Sequence, residues 1–153
     1  MPMPMDPPAQ RQSARPPIQY AAAGWEQKID KVLTSQLNVR EQAQQLRAVF
    51  HSLPPEGRAE AAAHMANLTE DEDYGLGSLL TDPETPEEAL QVLLIDLSSR
   101  PESVRLPLLL DLMRASNHPL QQEAKEELSF LLDEDYGNDW ASWETAVRRA
   151  LEP

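Results

Sequence analysis

The chain has 153 residues, 14 prolines against 5 glycines, no cysteine and a net charge of −13. That length holds one domain with a hydrophobic core and not comfortably two, and the lack of cysteine excludes disulfides, thiolate metal sites and thiol nucleophiles. A field of this sign repels nucleic acid and anionic membrane, so the natural complement is a protein with a basic surface, and the shortage of aromatic and β-branched residues disfavours a large sheet.

The charge is unevenly placed. Up to Leu53 six basic residues stand against four acidic ones; from Pro54 onward seven stand against twenty-two, so that stretch carries −15. Met1 to Pro17 holds prolines at 2, 4, 7, 8, 16 and 17 among Gln, Ser, Ala and Arg. This composition predicts a flexible Pro-rich tail over 1–17 and a single all-helical domain over 18–153. No apolar run is long enough to span a bilayer, and no basic flank with an apolar region behind it opens the chain. The stalk-like head leans towards an exported protein, or one tethered through a segment outside this chain.

The first helix is expected to start near Tyr20 or Ala21, with Trp25, Ile29, Val32, Leu33 and Leu37 on one face. Asn38 and Glu41 form a capping box for the second, whose stripe is Val39, Ala43, Leu46, Val49 and Phe50. Pro54 and Pro55 end it, and Pro55 opens a third helix through Asn67 with Ala59, Ala62, Ala63 and Ala66 where larger residues usually sit. Such small side chains predict a tight helix crossing. Thr69 with Glu72 reads as the cap of a short fourth helix bearing Leu76, Leu79 and Leu80, closed by Asp82-Pro83.

Thr85 as cap, Pro86 at the first position and Glu88 after it predict a fifth helix to about Ser98. Ser99 with Glu102 repeats the pattern for a sixth, in which Pro107 either sits in the first turn or kinks the rod. Leu90, Leu93, Leu94 and Leu97, then Leu108, Leu109, Leu112 and Met113, fall at helical spacing and form the expected heart of the core. A seventh helix follows His118-Pro119, with Gly137 as its left-handed cap. The last, opening at Asn138 or Asp139, sets Trp140, Trp143, Val147, Ala150 and Leu151 together, the tryptophans sealing one end of the core. The fold class is therefore all-α, about eight short antiparallel helices in a solenoid or an irregular bundle.

Glu72-Asp73-Tyr74-Gly75 recurs as Glu134-Asp135-Tyr136-Gly137, 62 residues on, and Thr85-Pro86 precedes His118-Pro119 by 33. Both offsets suit stacked helix pairs. From Thr85 to Pro153 the capped helices, closed by Tyr136-Gly137-Asn138-Asp139-Trp140 with Trp143, resemble bacterial HEAT-like helical repeat domains and their Gly-Asp-Trp endings. The resemblance implies a stacked scaffold used for protein binding, with no catalytic residue to carry over.

His51, His64 and His118 fall in separate segments, each read as a surface or turn histidine, and Gly75-x-Gly77 lacks the rest of a dinucleotide loop. Ser78 beside Gly77 is no nucleophile elbow. Asp133, Asp135 and Glu144 match part of a calcium-loop count, as do Asp71, Asp73 and Asp82, but the glycine each turn needs is misplaced. The expectation is a non-enzymatic adaptor or scaffold domain without cofactor or metal. Its acidic runs Glu70, Asp71, Glu72, Asp73 and Asp133, Glu134, Asp135 would meet a basic protein partner. The alternative is a ligand-binding or enzymatic domain with an acidic pocket walled by the Ala-rich helix and the Leu-rich pair.

Overall fold

The computed structural model describes residues 24–153. The expected tail over 1–17 and a helix start at Tyr20 or Ala21 lie outside the described residues. Within them the chain is all-helical and has no strand. Its helices are α1 (Gly24–Leu33), α2 (Val39–Val49), α3 (Pro55–Leu68), α4 (Gly77–Leu80), α5 (Glu87–Ser98), α6 (Glu102–Arg114), α7 (Gln121–Leu132) and α8 (Trp140–Ala150), with 3₁₀ turns at Phe50–Ser52 and Asp71–Asp73. No helix among them is long and apolar enough to cross a membrane.

Local chemistry sets several of these boundaries. The Asn38 side chain accepts from the Glu41 amide at 2.9 Å, and the Glu41 carboxylate accepts from the Asn38 amide at 3.2 Å, so the capping box is closed from both sides. Pro54 caps α3 and Pro55 is its first residue. Asp139 caps α8 through the Ser142 amide. Elsewhere the expected caps are used differently. α5 begins at Glu87 with Pro86 as its cap residue, and the Thr85 hydroxyl is buried, donating to the Leu79 carbonyl at 2.7 Å. Ser99 ends α5 rather than opening α6, its hydroxyl donating to the Asp96 carbonyl at 2.7 Å, and Thr69 ends α3. Pro107 lies inside α6, beyond the first turn. The left-handed cap of α7 is Asp133 at φ 58°, while Gly137 takes φ 61° in the turn before α8.

The most extensive helix pairings are α3 with α5 and α6 with α7. Ala61, Ala62, Met65 and Ala66 are buried on α3 against Leu90, Leu93, Leu94 and Leu97 of the same core, so the alanines serve a close crossing. That space is filled. Gly57 allows a second close approach, because a Cβ would stand 3.0 Å from the Trp25 ring. On α6 the buried set is Leu106, Leu109, Leu110, Leu112 and Met113, with Leu108 half-buried, since this helix meets α5, α7 and α8 on different faces. Trp143 is fully buried at the end of the core, whereas Trp140 is exposed.

Candidate functional site

Between α3 and α4 the chain runs over the ends of its neighbours as a strap, residues 69–76, and arginines from two helix regions fix it in place. Arg100, just past α5, is 9% exposed. Its guanidinium donates to the Ala66 carbonyl (2.8 Å), the Thr69 carbonyl (2.8 Å), Asp71 (2.9 Å) and Asp96 (3.0 Å). The first two are carbonyls at the C-terminal end of α3, where the helix dipole favours a cation; that of Ala66 also accepts the Thr69 amide at 3.4 Å. Burial alone would lower the Arg100 pKa, but the hydrogen bonds to Asp71 and Asp96 outweigh it and the pKa is raised. The same guanidinium lies 4.8 Å over the Tyr74 ring. The Tyr74 hydroxyl is buried and has no partner among the described residues. Burial, with Asp96 adding to it and Arg100 opposing, pushes its pKa up to about 12.

From α2, Arg40 pairs with Asp73 at 2.6 Å, and Arg47 donates to the Gly75 carbonyl at 2.9 Å and to the Ser78 hydroxyl. These bonds hold the strap at a distance from α2. What lies between is a groove of about 480 Å³. Val39, Ala43, Met65, Leu68 and Leu76 supply its apolar lining, and Val39 at its mouth is 53% exposed. Arg40, Arg47, Glu70 and Asp73 also line it.

The residues expected to meet a partner divide by what the fold does with them. Glu70 lines the groove and Glu72 is exposed beside it, neither bonded among the described residues. Asp73 lines the groove but is neutralised by Arg40, and Asp71 belongs to Arg100. Of the second run, Asp133 and Glu134 are exposed, and Asp135 accepts from the Gly137 amide at 2.8 Å.

The two Glu-Asp-Tyr-Gly copies therefore differ in structure. In the first, Tyr74 sits under Arg100; in the second, Tyr136 packs edge-on against Trp143 at 5.1 Å, and the Trp143 indole donates to the Gly137 carbonyl at 3.0 Å. The pair at the 33-residue offset does converge. Thr85 bonds the Leu79 carbonyl, and His118 bonds the Leu80 carbonyl at 2.8 Å, both at the end of α4. His118 is thus a buried histidine and not a surface one. Its Nδ1 accepts from the Leu120 amide at 3.0 Å, which leaves Nε2 to carry the proton and donate.

Among the described residues no three of His, Asp or Glu are grouped to hold a metal. Glu144, third member of the partial calcium count, pairs instead with Arg114 at 2.6 Å. Sequence reasoning missed the arginines that build the groove. The signal was Arg40 and Arg47 seven apart beside the small stripe Val39 and Ala43, two turns of one helix face. Comparison with protein-family models, with curated proteins and with solved structures finds no match to this chain.

Proposed function

We propose that this chain is a non-enzymatic helical adaptor that takes up an apolar, basic segment of a partner protein in the groove between α2 and the strap. The observation that carries this is the groove's chemistry: an apolar lining with an exposed valine at its mouth, and beside it two carboxylates, Glu70 and Glu72, without a partner among the described residues. The nearby cations do not cancel them, because Arg40 and Arg47 are spent on the strap. The −15 carried from Pro54 onward adds a long-range field of the same sign, which speeds encounter with a basic surface. The resemblance of residues 85–153 to HEAT-like scaffolds points to the same class of function.

The test is capture of partners from native lysate on the full chain, washed at low and then high salt, with two variants alongside. Ala43→Trp fills the groove and Glu70→Lys/Glu72→Lys reverses the free charge. A basic protein held by the wild type at low salt, released at high salt and lost by both variants supports the reading. Equal retention by wild type and variants, insensitive to salt, removes it.

A further inference from the structure

A second groove, of about 590 Å³, runs between the end of α7 and one face of α8. Leu131, Leu132 and Tyr136 form one wall, each half-buried. The other wall is α8 itself, whose adjacent face carries the buried Trp143 and Val147 into the core. Along the groove α8 presents Asp139, Ser142, Ala146 and Arg149 in that order, at spacings of three, four and three that share one helix face. Arg149 is exposed and its guanidinium has no hydrogen bond or ion pair among the described residues.

We propose that this face is a homodimer interface, in which α8 packs antiparallel on α8 of a second copy about a two-fold axis near Glu144. The order of chemistry along the stripe is acid, small, small, base. Turning the helix end for end sets Asp139 of one copy opposite Arg149 of the other, and Ser142 opposite Ala146, so the surface is complementary to itself as a two-fold contact demands. A purely basic partner would face Arg149, and a purely acidic one would face Asp139. A second copy gives Arg149 a carboxylate, while Asp139 keeps its hydrogen bonds from Ser142 and gains a cation. The small residues at the centre let the helix axes come to about 8 Å. Antiparallel macrodipoles add a favourable term, and Arg149 also falls near the acidic run 133–135 that leads into the other copy's α8. The second helix covers Leu131, Leu132 and Tyr136, which the fold of one chain leaves half-open. This surface is formed by α7 and α8, and the groove under the strap by α2 and α3, so either can exist without the other.

The absence of cysteine makes the test clean, since one introduced thiol reports one contact. Thr145 is the groove residue nearest the axis, and Glu56 on α3 serves as a control. Light scattering of the full chain over rising concentration should show a shift to twice the chain mass. Under mild oxidation Thr145→Cys should form a linked dimer at least about tenfold faster than Glu56→Cys, and Ala146→Arg should raise the dimer Kd by at least about tenfold with unchanged circular dichroism. A chain that stays monomeric at every concentration overturns the proposal. So does a dimer in which Thr145→Cys links no faster than Glu56→Cys.

Discussion

Tyr74 and Arg100 form a contact in which each residue explains the other's unusual state. The guanidinium covers the ring and keeps water from the hydroxyl, while its own charge is satisfied by carboxylates and helix-end carbonyls, leaving the phenol with no acceptor. A buried hydroxyl without a partner costs about 1–3 kcal/mol. Tyr74→Phe is therefore expected to stabilise the protein by about 1 kcal/mol near neutral pH, read from urea midpoints. The same residue makes a pH prediction with a definite sign. Its folded pKa is raised from 10.0 to about 12, so the group leaves stability unchanged with pH below 10.0 and lowers it as pH rises towards 12, because the unfolded phenol ionises first. Discounted for solvent screening of a half-buried side chain, the loss is roughly 1–2 kcal/mol. The gap between Tyr74→Phe and wild type should widen across that window. A constant gap from pH 9 to 12 would sink the account of Tyr74 while leaving the groove untouched.

Among the elements, the strap over 69–76 owes its position to side chains that come from far along the sequence. Arg40 and Asp73 are 33 residues apart, and Arg100 and Asp71 are 29. Replacing Arg100 by Met takes a side-chain donor from the Ala66 and Thr69 carbonyls and leaves Asp71 and Asp96 without their cation, which should cost about 2–4 kcal/mol. Lys at this position should restore less than half, since an ammonium cannot reproduce the fork. Amide exchange over the strap should quicken in Arg100→Met while α7 and α8 keep their protection; uniform quickening would mean that Arg100 supports the whole core instead. The capping box is a more local device, and Asn38→Ala should cost about 1 kcal/mol, measured by thermal unfolding. This contrast also explains what was readable in the sequence. Asn38 with Glu41, and Asp139, were legible because a cap is satisfied within one turn. Thr85, Ser99 and Thr69 look the same in sequence, yet Thr85 is drawn to the Leu79 carbonyl of α4 and Ser99 to the preceding turn, and no local pattern distinguishes these outcomes. The leucines of α5 were legible from periodicity, since one stripe faces one core. On α6 the stripe widened to take in Leu106 and Leu110, because the helix is enclosed on several sides. For the groove only the spacing of Arg40 and Arg47 beside Val39 and Ala43 was legible, since the strap they bind lies 28 to 33 residues away in sequence.

At the scale of the whole molecule, α1 to α5 and α6 to α8 make most of their contacts within themselves, and their union rests on two kinds of bond. One is the shared leucine core, in which Leu90, Leu93 and Leu97 of α5 belong to the same buried cluster as Leu106, Leu109 and Leu112 of α6. The other is polar: the His118 ring, 4% exposed, joins the α6–α7 connection to the Leu80 carbonyl of α4, and nearer the surface Ser98 of α5 donates to Glu127 of α7 and accepts from Arg105 of α6 through its carbonyl. His118→Leu removes a donor and an acceptor together and leaves the Leu80 carbonyl and the Leu120 amide buried with no side-chain partner, at a cost of about 2–4 kcal/mol. Loss of that link need not divide the molecule. Leucine burial contributes about 2 kcal/mol for each side chain, and several leucines span the junction, so the apolar coupling exceeds the polar one. The expected result is a lower urea midpoint with one transition intact. Trp25 reports on the first part and Trp143 on the second, so single-tryptophan variants of wild type and His118→Leu should give coincident curves in both backgrounds. If the Trp143 signal moves ahead of the Trp25 signal in His118→Leu, the histidine is the principal fastening and the leucine junction is the weaker one.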